Sequence, residues 1–483
     1  MSAMPPLRDL TEPERKLWES FKSGKLASVQ SGEAATDDTD NAAEWTADRR
    51  VRGEVISAIL LGEMGAVKRP RRRLRARGFR VTGCLDLSNG QIDAPVHFKS
   101  CVFDRGVALL ECRTRSVLFV DCKMPYLDAS GTCVDGQLEV TGSQLNWLGL
   151  YQTEVTGHLE LSGAQLRLPG KTAINADYLR VRAAMYWNDC TVTGAVRLPG
   201  ARIGGSLVLD GAHLLNEGSW ALSADRLTVG GDLQCRDGFV AAGEVGLASA
   251  QIAGRLFLGG EAGSGHIGPG GPPPARGPGR ITGLVDLRDA KLGGLSDDPG
   301  QWPEQIRING LSYNDLDPRL PAHRRLDWIR HDPAGYQPQP YEQLAASYRR
   351  LGEDENARRV LLAKQRDRRG TLGPAGTVWG YIQDATVGYG YRPWLASLWL
   401  LALLAVGTVY FAIRPAVPAV ATHGHFSAFT FTLYMIIPIL GQNQSADWIL
   451  NGAQQVVLYV LTVSAWTLFT AFAAGLTRSV SRG

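Results

Sequence analysis

The densest group of side chains able to bind a partner is a run of cations: Lys68, Arg69, Arg71, Arg72, Arg73, Arg75, Arg77 and Arg80. Closely spaced guanidinium groups attract phosphate and carboxylate. The run is therefore a candidate site for an anionic lipid or an acidic partner, and it reads equally well as a solvated connector between two folded segments. Phe79 is the only aromatic residue within it, and base stacking needs aromatics interleaved with charge. Nucleic acid is not indicated as a partner, and a formal net charge of +4 over 483 residues points the same way.

Thiols, imidazoles and carboxylates come next. Seven cysteines are present, and Cys84, Cys101, Cys112, Cys122 and Cys133 fall in one repetitive tract without any Cys-x-x-Cys spacing. They read as packed core in a reducing compartment rather than as a disulfide scaffold or a metal site. His423 and His425 are two loop histidines with no further ligand nearby in sequence. No Gly-x-Gly-x-x-Gly follows a strand and opens a helix, so no dinucleotide site is indicated. The acids Asp86, Asp128, Glu139, Glu160, Asp210, Asp232 and Asp286 recur between apolar positions, which puts them on an outer surface as solubilising groups. No catalytic residue, metal site or cofactor is assigned on these grounds.

Thr386-Val387-Gly388-Tyr389-Gly390 matches the potassium-channel filter motif letter for letter. A filter sits between two spanning helices and presents backbone carbonyls to the ion. Here the upstream chain is charged and polar and an acidic residue does not follow, so a juxtamembrane turn is expected instead.

The elements that must carry these residues are set by a repeat. Val96, Phe98, Cys101 and Phe103 return 21 residues later as Val117, Phe119, Cys122 and Met124, then as Leu138, Val140, Ser143 and Leu145, then as Leu159, Leu161, Ala164 and Leu166. Cys112 and Cys133 suggest a second column half a coil away, near Leu127 and Leu148. Apolar residues at i and i+2 mark strands, Gly and Asp/Asn supply corners, and one coil cannot bury its own inner face. The spacing predicts a mainly β chain built as a parallel β-helix, expected to be right-handed, with coils of about 21 residues over 78–316. Loop insertions are expected at later corners, the largest a mobile Gly/Pro-rich stretch at 259–279.

Residues 1–77 are expected to form helices that cap the solenoid and protect its edge. Thr11 and Glu14 have capping-box spacing. Val51, Val55, Ile56, Ile59 and Leu60 make one helical stripe, and Ser31–Asn41 reads as a polar linker. After the rod, 317–392 is expected to hold a basic helical hairpin, Tyr341–Leu351 and Glu353–Arg368, able to face an anionic leaflet.

Trp394–Ile413 and Ala453–Leu476 are uncharged runs long enough to span a bilayer. Phe426–Leu440, with Pro438, is too short and reads as re-entrant or interfacial. Arg366, Arg368, Arg369 and Arg392 before the first run, with Arg478 and Arg482 after the last, place both termini in the cytoplasm. Met1–Leu10 lacks a secretory pattern. An integral protein of the plasma membrane is expected, with most of the chain cytoplasmic. Ala471 and Gly475 form a small-xxx-small pair that could pack the spanning helices or join two copies.

Two blocks carry a family likeness: Arg52-Gly-Glu-Val-Ile-Ser-Ala-Ile-Leu-Leu-Gly62 leading into Val81-Thr-Gly-Cys-Leu-Asp-Leu87, and Gly388-Tyr-Gly-Tyr-Arg-Pro-Trp394 with the terminal hairpin. Together they resemble actinobacterial pentapeptide-repeat-like membrane proteins, often catalogued as membrane-associated oxidoreductases. The resemblance implies a rod plus a membrane hairpin and, by its label alone, a redox enzyme; its motifs are architectural and supply no catalytic residue. The period here is carried by whole coils rather than by strict pentapeptides. The function expected first is a membrane-anchored scaffold or binding module for a cytoplasmic protein. A membrane-associated oxidoreductase is the alternative, and a small-ion channel using Phe426–Gly441 is a further one.

Overall fold

The computed structural model describes residues 9–64, 73–260, 279–392, 394–418, 426–436 and 448–480. They fall into two compact units, Met1–Gln343 and Leu344–Gly483.

The first unit is a parallel β-solenoid of about 10 turns with coils of about 22 residues. Parallel pairing stacks Leu74, Val96, Val117, Leu138, Leu159, Met185, Leu207, Leu233, Leu256, Leu295 and Leu316 in one unbroken column. On another face Leu85, Val107, Leu127, Leu148, Ile174, Val196, Leu222, Val245, Val285 and Ile306 do the same. Nearly all of these side chains are fully buried. Successive coils repeat the azimuth of each inward residue, so a core forms only by stacking, which is why no single coil would be stable alone.

The expected columns through Val96, Phe98, Cys101 and Phe103 hold, with Phe98 stacked on Phe119 at 5.6 Å. The expected Cys112–Cys133 column does not. Arg113 pairs with Cys133, and Cys133 in turn with Glu154, so this coil is one residue shorter and Cys133 faces outward. A period of two means that one residue of slip changes the face. The inward place is taken by Thr132 and then Thr153, whose hydroxyls donate to the Leu109 and Ala129 carbonyls of the coil before.

Corners turn through left-handed residues. Asn89, Asp121, Asp189, Asp237 and Asp289 fit the expectation, but Glu111, Gln152, Tyr178 and Arg226 also have φ between 52° and 60°. The left-handed form costs about 1–2 kcal/mol for such side chains. Stacking of the next coil enforces it, because each corner amide donates to the coil above, as Gln152 does to Asp177 at 3.0 Å.

Coil lengths alternate further along. Leu168–Thr172 and Leu215–Trp220 each bulge out of a long strand, Gln165–Asn175 and His213–Ser223. Beneath each bulge lies a glycine of the next coil. A Cβ on Gly194 would stand 2.5 Å from the Leu168 carbonyl, and one on Gly243 would stand 2.5 Å from that of Asn216. Most of the loop expected at 259–279 lies outside the described residues.

Both ends of the rod are closed. Helix α1 (Glu12–Ser23) starts at Thr11 with the expected capping box, and the following strand Ala27–Ser28 pairs with Leu74–Arg77 to cover the first edge. Helix α2 (Gly53–Leu60) buries Val55, Ile56, Ile59 and Leu60. Val51 belongs to the strand Arg50–Arg52, which pairs with Arg80–Thr82, so the ladder takes in strands that precede residue 78. Ser31–Asn41 is a built turn rather than a linker: Asp37 accepts from the Ser31 and Gly32 amides and pairs with buried Arg49 at 2.9 Å.

At the far end, helix α3 (Ala322–Arg330) and the start of helix α4 (Pro338–Arg350) cover the last coil. Their side chains satisfy its open edge: Asp332 accepts from the Ile308 amide, Gln339 from that of Gly310, and Gln339 and Gln343 donate to the carbonyls of Leu311 and Tyr313. The segment expected as a juxtamembrane hairpin thus begins as a second cap.

The second unit holds helices α5 (Asp354–Arg369), α6 (Pro374–Val387), α7 (Trp394–Ile413), α8 (Ala428–Ile436) and α9 (Gly452–Val480). Two helices, Trp394–Ile413 and the Gly452–Thr470 part of α9, are long and apolar enough to cross a membrane. Phe411, Phe431 and Leu461 form the core where α8 meets both of them. Gly407 is the close approach: a Cβ there would lie 2.4 Å from a Thr432 methyl and 3.1 Å from Leu461.

Candidate functional site

The cation run does not converge as a single patch among the described residues. Lys68, Arg69, Arg71 and Arg72 lie outside them. Arg73 is exposed, and Arg75 and Arg77 occupy outward positions of the strand Leu74–Arg77, beside His97 and Lys99 of the next coil. Arg80 is on a different strand and has a structural task. Its guanidinium bonds Asp104 at 2.9 Å and the Ala42 carbonyl at 3.0 Å, tying the N-terminal cap to the rod.

The recurring acids do face outward, but most are fixed in place. Asp86 and Asp128 accept from the amides of Ser88 and Ser130, Asp210 from Arg236, and Asp232 from the Arg255 amide. Asp286 corrects the solubilising assignment outright. It is 2% exposed beneath Arg288, and although burial opposes its ionisation, hydrogen bonds from Arg288 hold the carboxyl below its ordinary value. Glu139 and Glu160 stand in register on adjacent coils. Burial, with help from Glu139, pushes Glu160 above the usual range despite the Ser162 hydroxyl and amide that bond it.

The thiols are interior groups. Burial alone pushes Cys112 up to about 11, and Cys190, with Asp189 adding to burial, up to about 12. Cys122 is likewise held well above its ordinary value by burial. Cys84 and Cys133 are half-buried. No group of three or more His, Cys, Asp or Glu side chains able to hold a metal is present among the described residues, and His423 and His425 lie outside those residues.

The filter-like pentapeptide forms the end of α6. Thr386 donates to the Ile382 carbonyl at 2.7 Å as in a helix interior, and Gly388 closes the helix in the left-handed form with φ 53°. Ala471 and Gly475 lie on the backbone of α9, and their side chains fall outside the described residues.

A polar groove of about 750 Å³ lies along the rod. Its floor is the outward column Val102, Lys123, Gln144 and Gln165, each paired one coil apart. Asp104, Asn146 and Arg167 form its walls, and Asp40 of the N-terminal segment overhangs it, bonding Lys123 at 2.9 Å. These side chains offer donors, acceptors and both charges at the coil spacing of about 4.8 Å. The groove can offer polar contacts to an extended segment laid along the coils. It escaped attention in the sequence because its members are ordinary polar residues, yet each stands one place before a core residue: Lys123 before Met124, Gln144 before Leu145, Gln165 before Leu166.

Comparison of the chain with family models, with curated proteins and with solved structures returns no match.

Proposed function

We propose that the protein is a membrane-anchored scaffold or binding module whose rod lies in the cytoplasm and receives a protein partner in the Lys123–Gln165 groove. The observation that carries this reading is the pairing of a rod closed at both edges with two span-length apolar helices. Closed edges disfavour end-to-end assembly, so the sides of the rod are what remains for a partner. The arginines before α7 and at the C-terminal end of α9 favour an inward-facing rod, and the inner face of the plasma membrane is the address proposed. The likeness to actinobacterial pentapeptide-repeat-like membrane proteins is part of the same reading.

A photo-crosslinking residue at Gln165, in cells whose spheroplasts are treated with protease before or after lysis, tests it. The expected result is one discrete adduct, lost on Lys123→Glu, from a rod that is cleaved only after lysis. No adduct, or cleavage of the rod in intact spheroplasts, would overturn it.

A further inference from the structure

Helix α6 has two faces that differ in chemistry. One packs on α5. Asp384 accepts from Nε and Nη2 of Arg366, each at 2.9 Å, and lies 3.4 Å from Arg369. Gly380 is buried against Arg369, and the Thr377 hydroxyl is 3.4 Å from its carbonyl. At 100° per residue, the opposite face carries Val378, Trp379 and Ile382, which are 60%, 58% and 47% exposed. Asp384 is the only charged residue in Pro374–Val387, and its charge is matched by two arginines.

This exposed apolar face is held at a defined place. The indole of Trp399, one and a half turns into α7, donates to the Ala385 carbonyl at 2.9 Å. The C-terminal end of α6 therefore lies about 8 Å along the axis from the start of a span-length helix, the level at which Trp and Tyr settle between headgroup and acyl chain. Arg366, Arg368 and Arg392 are exposed around it, as anionic headgroups would require.

We infer that α6 is an interfacial helix, lying in the membrane surface with Val378, Trp379 and Ile382 seated among lipids and its arginine-paired face turned to α5. The inference rests on the reading that α7 spans the bilayer. Burying three such side chains adds an attachment independent of the spans, and it sets the angle at which the chain leaves the membrane.

The test uses the full chain with Cys84 and Cys133 changed to Ser, spin-labelled singly at Val378→Cys, Ile382→Cys, Leu401→Cys or Glu355→Cys. It is reconstituted in nanodiscs of equal phosphatidylcholine and phosphatidylglycerol. Relaxation by oxygen reports lipid, and relaxation by a water-soluble nickel chelate reports solvent. The expected oxygen-to-nickel ratio at 378 and 382 is several-fold above that at 355 and approaches that at 401. A water-like ratio at 378 and 382 with a lipid-like one at 401 would overturn the inference and leave the anchor standing. Shielding of 378 and 382 from both reagents would also overturn it, by showing a protein surface, such as a second copy, on that face. A water-like ratio at 401 would remove the anchor itself, and the inference with it.

Discussion

Arg325 of the C-terminal cap reaches into the last coils and bonds Asp297 at 2.6 Å, with both side chains at most 2% exposed. Asp297 also accepts from the Trp302 indole at 3.0 Å, and Arg325 donates to the Pro318 carbonyl at 2.9 Å. Burial pushes the Asp297 carboxyl above its ordinary value even with the guanidinium beside it. Breaking such a pair leaves a charge without compensation. Arg325→Met should cost about 3–5 kcal/mol, read from denaturant unfolding of the purified protein. Arg325→Met with Asp297→Asn, which keeps an acceptor for Trp302, should recover most of that loss.

The N-terminal cap should be acid-labile. Burial disfavours ionised Glu14, but hydrogen bonds from the Arg52 side chain at 2.8 and 2.9 Å, with the Thr11 and Arg52 amides, hold its pKa below the ordinary 4.5. A folded-state pKa below the unfolded one gives stability that is complete above the unfolded value and is lost as pH falls through the folded one. Hydrogen-exchange protection in Glu12–Ser23, corrected for the intrinsic pH dependence of exchange, should therefore fall below about pH 4.5. Glu14→Gln should loosen the helix by about 1–3 kcal/mol at neutral pH and flatten that acid dependence.

Thiol chemistry should be confined to two positions. Maleimide labelling of the native protein, mapped by peptide mass, should mark Cys84 and Cys133 and spare Cys101, Cys112, Cys122, Cys190 and Cys235, which are buried. All seven should react in denaturant. Rapid native labelling of Cys190 or Cys235 would contradict the packing described.

The bulges of the long strands should depend on the glycines beneath them. Gly194 and Gly243 adopt φ of 124° and 141°, and an added Cβ would meet carbonyl oxygens of the preceding coil in each case. Gly194→Ala and Gly243→Ala should each destabilise the rod by about 1–3 kcal/mol, seen as a lower denaturant midpoint. Gly170→Ala, where nothing lies within 4 Å of the added carbon, should cost less.

The coil was legible because its signal repeats: Val96, Val117, Leu138 and Leu159 recur at one spacing, and strands alternate with a period of two. Cys133 shows where such reading stops. A coil one residue short exchanges inward for outward, and only the pairing with Arg113 reveals the slip. The groove was legible only as residues preceding core positions, since nothing in Lys123, Gln144 or Gln165 marks them as neighbours before the coils are stacked.

The sequence by itself determined that the chain would be a stack of parallel coils followed by two span-length apolar helices, because periodic hydrophobicity and long uncharged runs are properties of local order. The tertiary structure alone decided what seals the far end, which acids are buried, and which glycine sits at the close approach of the apolar helices. Asp332, Gln339 and Gln343 become a cap only when brought beside Ile308, Leu311 and Tyr313. Gly407 meets Thr432 and Leu461 at the close approach of three helices. Hydrogen-bond satisfaction and close packing depend on partners far apart in the chain, and no local pattern encodes them.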